Sequence, residues 1–171
     1  VPAQASWRIF PGRSEASTPD RTAWRQSAFD DSSWAAGPAP FFYGEPLSGT
    51  ELSDMSGQYS TLFMRHAFQV DDPNAIGEMT LQVLGDDGYV VWLNGREIAR
   101  FNVPEGELAA NAVSSPALPE PLATESFPLS EPWKLLSPGK NVLAIQALNA
   151  SLDGPDFLAS ATLEFAPAAT T

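Results

Sequence analysis

The chain has 171 residues, of which 43% are hydrophobic and 11% aromatic, and these proportions exclude a disordered chain. Its net charge of −12, from 21 acidic and 9 basic residues, makes nucleic acids and anionic membrane surfaces poor partners. The absence of cysteine excludes disulfides and thiol chemistry, and no apolar run reaches the ~18 residues of a membrane-spanning helix.

The length fits one domain, and 16 prolines and 12 glycines predict many turns and few long helices. We expect a single domain at residues 7–166, with a linker or flexible end at 1–6 and a linker at 167–171.

The first half of the chain predicts short strands separated by loops. Residues 7–10 form the first strand, which Pro11 and Gly12 stop, and residues 22–27 form one helical turn. Residues 35–57 are rich in Gly, Pro and Ser and are predicted as loop, in which three adjacent aromatics, at 41–43, cannot all face the core.

The strongest local pattern spans residues 84–101. Asn94 and Gly95 separate two apolar runs, and this pair favours a type I′ hairpin turn because both of its central residues need positive φ. Both faces of the first run are apolar, which indicates a strand inside a sandwich. Asp86, Asp87 and Gly88 open this hairpin with turn chemistry of their own.

The remaining elements complete an all-β pattern. Residues 59–70, 79–84, 124–129, 141–149 and 157–165 are predicted strands, whereas residues 102–122 form a long Pro-punctuated loop of the kind that is often functional. About eight strands with no alternating helices predict an antiparallel β-sandwich of jelly-roll form.

Several runs of sequence together resemble one family. They are FDDSSW (29–34), PFFYGE (40–45), LFMRHAFQV (62–70), GDDGYVVWLNGREIARFNVP (85–104) and SPGKNVLAIQALNASLDGPDF (137–157). They resemble the galactose-binding-like jelly-roll domains of large secreted bacterial enzymes and surface proteins, and the sugar-binding domain of many exo-acting glycoside hydrolases is similar. One departure is that Leu148 precedes Asn149, where relatives often have a histidine.

Three groups of acidic residues are candidate calcium ligands, because calcium takes six to eight oxygens. Asp86 and Asp87 resemble the paired aspartates that bind calcium and sugar in lectins of the PA14 type; alternatively, they cap backbone amides. Asp30 can likewise bind calcium or cap a turn. Asp156 lies in a late loop, and the resemblance implies a structural calcium that joins early and late segments.

Aromatic and arginine side chains are the candidate sugar contacts. The rings of Phe42, Tyr43 and Trp133 could stack on a pyranose, and burial under a loop is the alternative for each. Arg65 and Arg100 could hydrogen-bond sugar hydroxyls or a uronate, or could be surface arginines without that role.

No catalytic motif is present. The sequence has no GxSxG, HExxH or phosphate-loop pattern, and its single histidine, His66, lies within an apolar strand. We therefore predict a domain that is not an enzyme.

The resemblance implies a non-catalytic carbohydrate-binding module of a larger secreted or surface-displayed bacterial protein. We expect a monomer that binds a poly- or oligosaccharide at a loop-built edge, next to other domains of the same polypeptide. Two alternatives stay open. One is a structural or protein-interaction spacer without sugar binding, and the other is an accessory domain that shapes a neighbouring glycosidase active site.

Overall fold

The computed structural model describes residues 1–120 and 122–169, which form two packed β-sheets. The eleven strands are β1 Ser6–Pro11, β2 Ala35–Pro38, β3 Phe41–Tyr43, β4 Thr50–Glu51, β5 Thr61–Val70, β6 Ile76–Asp86, β7 Gly88–Leu93, β8 Arg96–Phe101, β9 Glu125–Leu129, β10 Gly139–Leu148 and β11 Phe157–Pro167. Three single 3₁₀ turns lie at Ala23–Arg25, Pro73–Ala75 and Pro132–Lys134. Within these described ranges, no helix is long and apolar enough to span a membrane.

The two sheets confirm the predicted β-sandwich. One has six strands in the order β2-β1-β5-β10-β7-β8, and the other has five in the order β4-β3-β11-β6-β9. Neighbouring strands are antiparallel except for the parallel pair β3 and β4. The prediction of about eight strands missed three short ones: β2, β3 and β4 have only four, three and two residues, too few to show a period of two. Of these, β2 and β4 lie at the sheet edges, and β3 lies between β4 and β11.

The predicted hairpin is present, and its turn joins it to β10. Asn94 and Gly95 have φ values of 52° and 83°. The Asn94 side chain accepts a hydrogen bond from the Val142 amide (2.9 Å) and donates to the Asn141 side chain (2.7 Å). By contrast, Asp86 and Asp87 do not form a hairpin turn, because β6 and β7 lie in different sheets. The chain crosses from one sheet to the other at this pair.

Two hydrophobic cores lie on opposite faces of the six-stranded sheet. The strand β10 contributes to both: Leu143, Ile145 and Ala147 face the main core between the sheets, whereas Val142 and Ala144 face the second core. This alternation is the one that the sequence predicts for residues 141–149.

Segments of the chain outside the sheets cover the second core. The Trp24 ring packs edge-on against Phe63 (5.0 Å between centroids) and Trp92 (5.5 Å). The Arg25 guanidinium lies 3.9 Å from the centroid of Trp92 and pairs with Glu107 (2.6 Å). Arg25 therefore connects the early segment, which is the chain between β1 and β2, to the long loop after β8.

Arg65 holds the early segment against the sheet. Its guanidinium donates to the carbonyls of Trp24, Gln26 (3.0 Å) and Phe29 (3.3 Å) and to the carboxylate of Asp31 (2.7 Å). Arg65 is only 1% exposed, so the expectation that it could meet a sugar at the surface is corrected. The burial of several backbone carbonyls explains why an arginine, with five donors, stands here.

The predicted linkers also contact the domain. The Val1 α-amino group donates to the carbonyl of Leu163 (2.7 Å), and the Ala39 amide donates to the carbonyl of Ala5 (3.0 Å). The last strand runs to Pro167, and the Ala168 amide donates to the carbonyl of Ala75 (2.8 Å). Residues 170–171 of the predicted C-terminal linker lie outside the described residues.

Replacement of Arg65 by Met is expected to lower the free energy of unfolding by about 3–5 kcal/mol, because it leaves the Asp31 carboxylate and three carbonyls without their donor. Urea denaturation measures this change. Arg96→Met, at an exposed strand position, is the matched control and is expected to stay within about 0.5 kcal/mol of wild type. Equal stability of the two variants would contradict the assigned role.

Candidate functional site

The acidic edge is the end of the sandwich where the chain crosses between sheets. Asp86 and Asp87 form the crossing, and the loop after β8, described for residues 102–120, and the loop at 149–156 close around it. A cavity of about 240 Å³ opens there, and the carboxylates of Asp86, Asp87, Glu120 and Asp156 are among the groups that line it.

Asp87 has the capping role that the sequence left open. One carboxylate oxygen accepts the Leu118 amide (2.9 Å) and the other accepts the Ala150 amide (2.7 Å). Its backbone carbonyl accepts the Asn102 side-chain amide (2.9 Å). Because both carboxylate oxygens are engaged, Asp87 fixes the two loops to the crossing.

Asp86 has the opposite character. It is 3% exposed, and its Oδ2 atom is buried without a hydrogen-bond partner among the described residues. Burial is the main cause that raises its pKa to about 8, and Asp87, Asp156 and Glu120 add to the shift. A buried acceptor without a partner lowers the stability of the fold by about 1–3 kcal/mol, and a bound proton or cation would remove this penalty.

Three further carboxylates meet at the same edge. Potential ligand oxygens of Glu45, Glu120 and Asp156 lie within 4.8 Å of one another. Glu45 follows β3, Glu120 belongs to the long loop, and Asp156 immediately precedes β11. An all-oxygen donor set of this kind fits calcium, which prefers six to eight oxygens. Glu45 and Glu120 were not predicted as ligands, because no spacing in the sequence indicates that they lie near Asp86.

Tyr43 and Phe42 do not form an exposed platform. Tyr43 is 7% exposed and Phe42 5%, and the neighbouring Phe41 is fully buried. All three adjacent aromatics are buried because both faces of this short strand are covered, but only Phe41 and Tyr43 belong to the main core, which agrees with the expectation that the three cannot all face it. The Tyr43 hydroxyl donates to the Gly154 carbonyl (2.9 Å) and accepts from the Asn149 side chain (2.8 Å), which anchors the 149–156 loop.

Asp30 and Arg100 also hold local structure. The Asp30 carboxylate accepts the Ser32 amide (3.0 Å), which lowers its pKa and matches the turn-capping alternative. Arg100 donates to both oxygens of Glu97 (2.8 and 3.0 Å) and to the Gly106 carbonyl (3.1 Å), so it orders the start of the long loop. Neither residue lines the cavity at the acidic edge.

Trp133 is the candidate platform residue that the structure exposes. Its exposed fraction is 44%, and it lines a groove of about 440 Å³ that we name the Trp133 groove, together with Glu78, Thr80, Ser130 and Glu131. The groove lies near the start of β6, whereas Asp86 ends the same strand. At ~3.3 Å per residue, the two sites are about 26 Å apart along the strand.

Comparison with known proteins finds the fold but no family. No family model matches the chain, and no curated protein does. Among solved structures, it is similar to a calcium-binding mutant of Bacteroides uniformis β-glucuronidase 2 (15% identity, TM-score 0.56), covering 92% of this chain and 17% of that one. It is also similar to Bifidobacterium dentium β-glucuronidase complexed with coumarin-3-O-glucuronide (15%, 0.52), covering 86% and 20%.

A glycosyl hydrolase family 2 member from Bacteroides cellulosilyticus gives the same result (15%, 0.51), covering 93% of this chain and 20% of that one. At these identities the likeness shows a shared β-sandwich fold. The chain spans about a fifth of the length of these proteins, so the shared fold covers only one part of each of them.

The raised pKa of Asp86 predicts a specific pH dependence in calcium-free buffer. The carboxyl loses its proton near 3.8 in the unfolded chain but near 8 in the folded domain. Its contribution to stability is therefore fully present below about pH 3.8 and is lost as the pH rises through about 8.

Urea denaturation in EDTA from pH 4 to 9, on wild type and Asp86→Asn, isolates this contribution. We expect the stability of wild type relative to the variant to fall across this range. A constant difference between the two proteins would show that Asp86 titrates normally.

Proposed function

We propose that this domain is a non-catalytic carbohydrate-binding accessory domain of a larger secreted bacterial protein, and that calcium supports glycan binding at the acidic edge. The observation that carries the proposal is the buried carboxylate of Asp86, which has an unpartnered oxygen in a cavity lined by further carboxylates. Such an arrangement is stabilised by a cation.

Glu45, Glu120 and Asp156, whose oxygens lie within 4.8 Å of one another, would hold the ion, and Asp86, which lines the same cavity as Glu120 and Asp156, would add its unpartnered oxygen. A bound calcium would supply positive charge and would leave coordination positions open to sugar hydroxyls, which are oxygen ligands of the type it prefers. Asp87 and Tyr43 keep their capping roles and hold the loops in place, so that little ordering would be needed on binding.

The comparisons support the accessory part of the proposal. The solved structures of similar fold are several times longer than this chain, and they include β-glucuronidases. A second candidate function, the shaping of a neighbouring active site by the acidic edge, rests on this same coverage. Retention of the isolated domain on a glycan distinguishes the two, because the second function needs the neighbouring domain.

The proposal assigns no reaction to this domain. Its single histidine, His66, donates from Nδ1 to the carbonyl of Ser6 (2.9 Å) and packs near Trp7 (5.4 Å between centroids). Burial lowers the pKa of His66, so the ring is mainly neutral at pH 7.

Calcium is expected to raise the melting temperature of wild type and to leave Asp86→Asn unchanged. At free calcium one hundred times its Kd, binding adds about 2.7 kcal/mol to stability. For a chain of this length that corresponds to roughly 5–10 °C. Differential scanning fluorimetry in calcium and in EDTA measures this shift, followed by affinity electrophoresis through immobilised polysaccharides in the same buffers.

Asp30→Asn is the matched control, because this aspartate lies away from the cavity and Asn also caps turns. Its calcium response should equal that of wild type. Absence of any calcium shift in wild type would remove the ion from the proposal. Equal retention of wild type in calcium and in EDTA, or no retention in either, would remove glycan binding from the acidic edge and leave the shaping of a neighbouring active site as its function.

A further inference from the structure

The Trp133 groove lies apart from the acidic edge and presents a different kind of surface. Residues 77–80 of β6, residues 128–131 and the exposed Trp133 line it. Glu78 and Thr80 on β6 and Ser130 and Glu131 after β9 supply its polar groups. An aromatic face beside carboxylate and hydroxyl oxygens is an amphipathic surface, which neither a purely apolar nor a purely ionic ligand matches.

The turn that carries Trp133 is fixed by its own hydrogen bonds. The amides of Leu135 and Leu136 donate to the carbonyl of Pro132 (3.0 and 3.1 Å), and Leu136 is buried in the main core. Glu131 has a φ of 53°, which a residue other than glycine adopts only when its surroundings hold it there. The indole is therefore presented by a preorganised backbone, and its binding would require little ordering.

The charges of the groove select against anions. Glu78 and Glu131 both line it, and Lys134 lies at 2.7 Å from Glu131, in an ion pair that neutralises one of the two. The remaining charge is negative, as is the whole chain at −12. Among the residues that line the groove, none is a lysine or arginine that could pair with a carboxylate ligand.

We propose that the Trp133 groove is a second, cation-independent binding site for an uncharged pyranose. The indole would stack on the C–H face of the sugar ring, and Glu78, Thr80, Ser130 and Glu131 would exchange hydrogen bonds with its hydroxyls. This class of ligand differs from the glucuronide in the name of one protein of similar fold. The inference does not depend on calcium or on Asp86, and it therefore stands or falls separately from the function proposed above.

The test is affinity electrophoresis of the domain in EDTA through gels that contain galactomannan, soluble β-1,4-glucan, xylan or polygalacturonate. We expect wild type and Asp86→Asn to be retained by at least one neutral polysaccharide and to pass freely through polygalacturonate. Trp133→Ala is expected to weaken retention about tenfold, whereas Trp133→Phe, which keeps an aromatic face, is expected to stay within about threefold of wild type.

Leu152→Ala is the matched control, because this exposed leucine lies in the loop at the opposite end of the sandwich. Its retention should equal that of wild type, and melting temperatures should confirm that all variants fold. The double variant Glu78→Gln and Glu131→Gln should lose its discrimination against polygalacturonate, because the two negative charges that exclude the uronate are removed. Equal retention of Trp133→Ala and wild type would overturn the proposal, as would stronger retention of wild type on polygalacturonate or no retention on any neutral polysaccharide.

Discussion

The acidic edge depends on one feature of the chain path, which is the passage from the five-stranded to the six-stranded sheet between two adjacent aspartates. Asp87 satisfies both of its oxygens with the amides of Leu118 and Ala150, and it thereby binds two otherwise separate loops to the crossing. Asp86 is buried by the same arrangement, but its Oδ2 atom has no hydrogen-bond partner among the described residues. Asp87 therefore stabilises the loops of the acidic edge, whereas Asp86 places a buried, unpartnered carboxylate oxygen there.

Basic residues hold segments of the chain over the outer face of the six-stranded sheet. Arg65 and Arg25 hold the covering segments on the second core, and Arg100 orders the start of the long loop. At least six of the nine basic residues stand in ion pairs: Arg13, Arg21, Arg25, Arg65, Arg100 and Lys134. Arg25 and Arg65 are buried in these pairs and the chain carries a net charge of −12, so its surface favours cations and uncharged ligands over anions.

Local sequence patterns were sufficient for the sandwich but not for the site. Two adjacent residues are enough to predict the Asn94-Gly95 turn, and an alternation with a period of two is enough to predict which residues of β10 face the main core. The other carboxylates of the acidic edge come from loops far apart in the chain, and no sequence spacing predicts that Glu45 and Glu120 meet. Arg65 and Tyr43 were predicted as sugar contacts but are buried. The segments that cover them have no periodic pattern, so the sequence does not reveal this burial. Trp133 stays a prediction as a sugar platform, although the structure does expose it.

The central claim is that the carboxylate of Asp86 is compensated by a cation rather than by a proton. A crystal structure grown in calcium chloride, with anomalous diffraction recorded at a long wavelength, tests this most directly. We expect one anomalous peak, from calcium, within about 2.3–2.6 Å of oxygens from Asp86, Asp156 and Glu120. A cavity without a peak, in which the Asp86 carboxyl is hydrogen-bonded to Asp87, would contradict it and would assign the compensation to a proton.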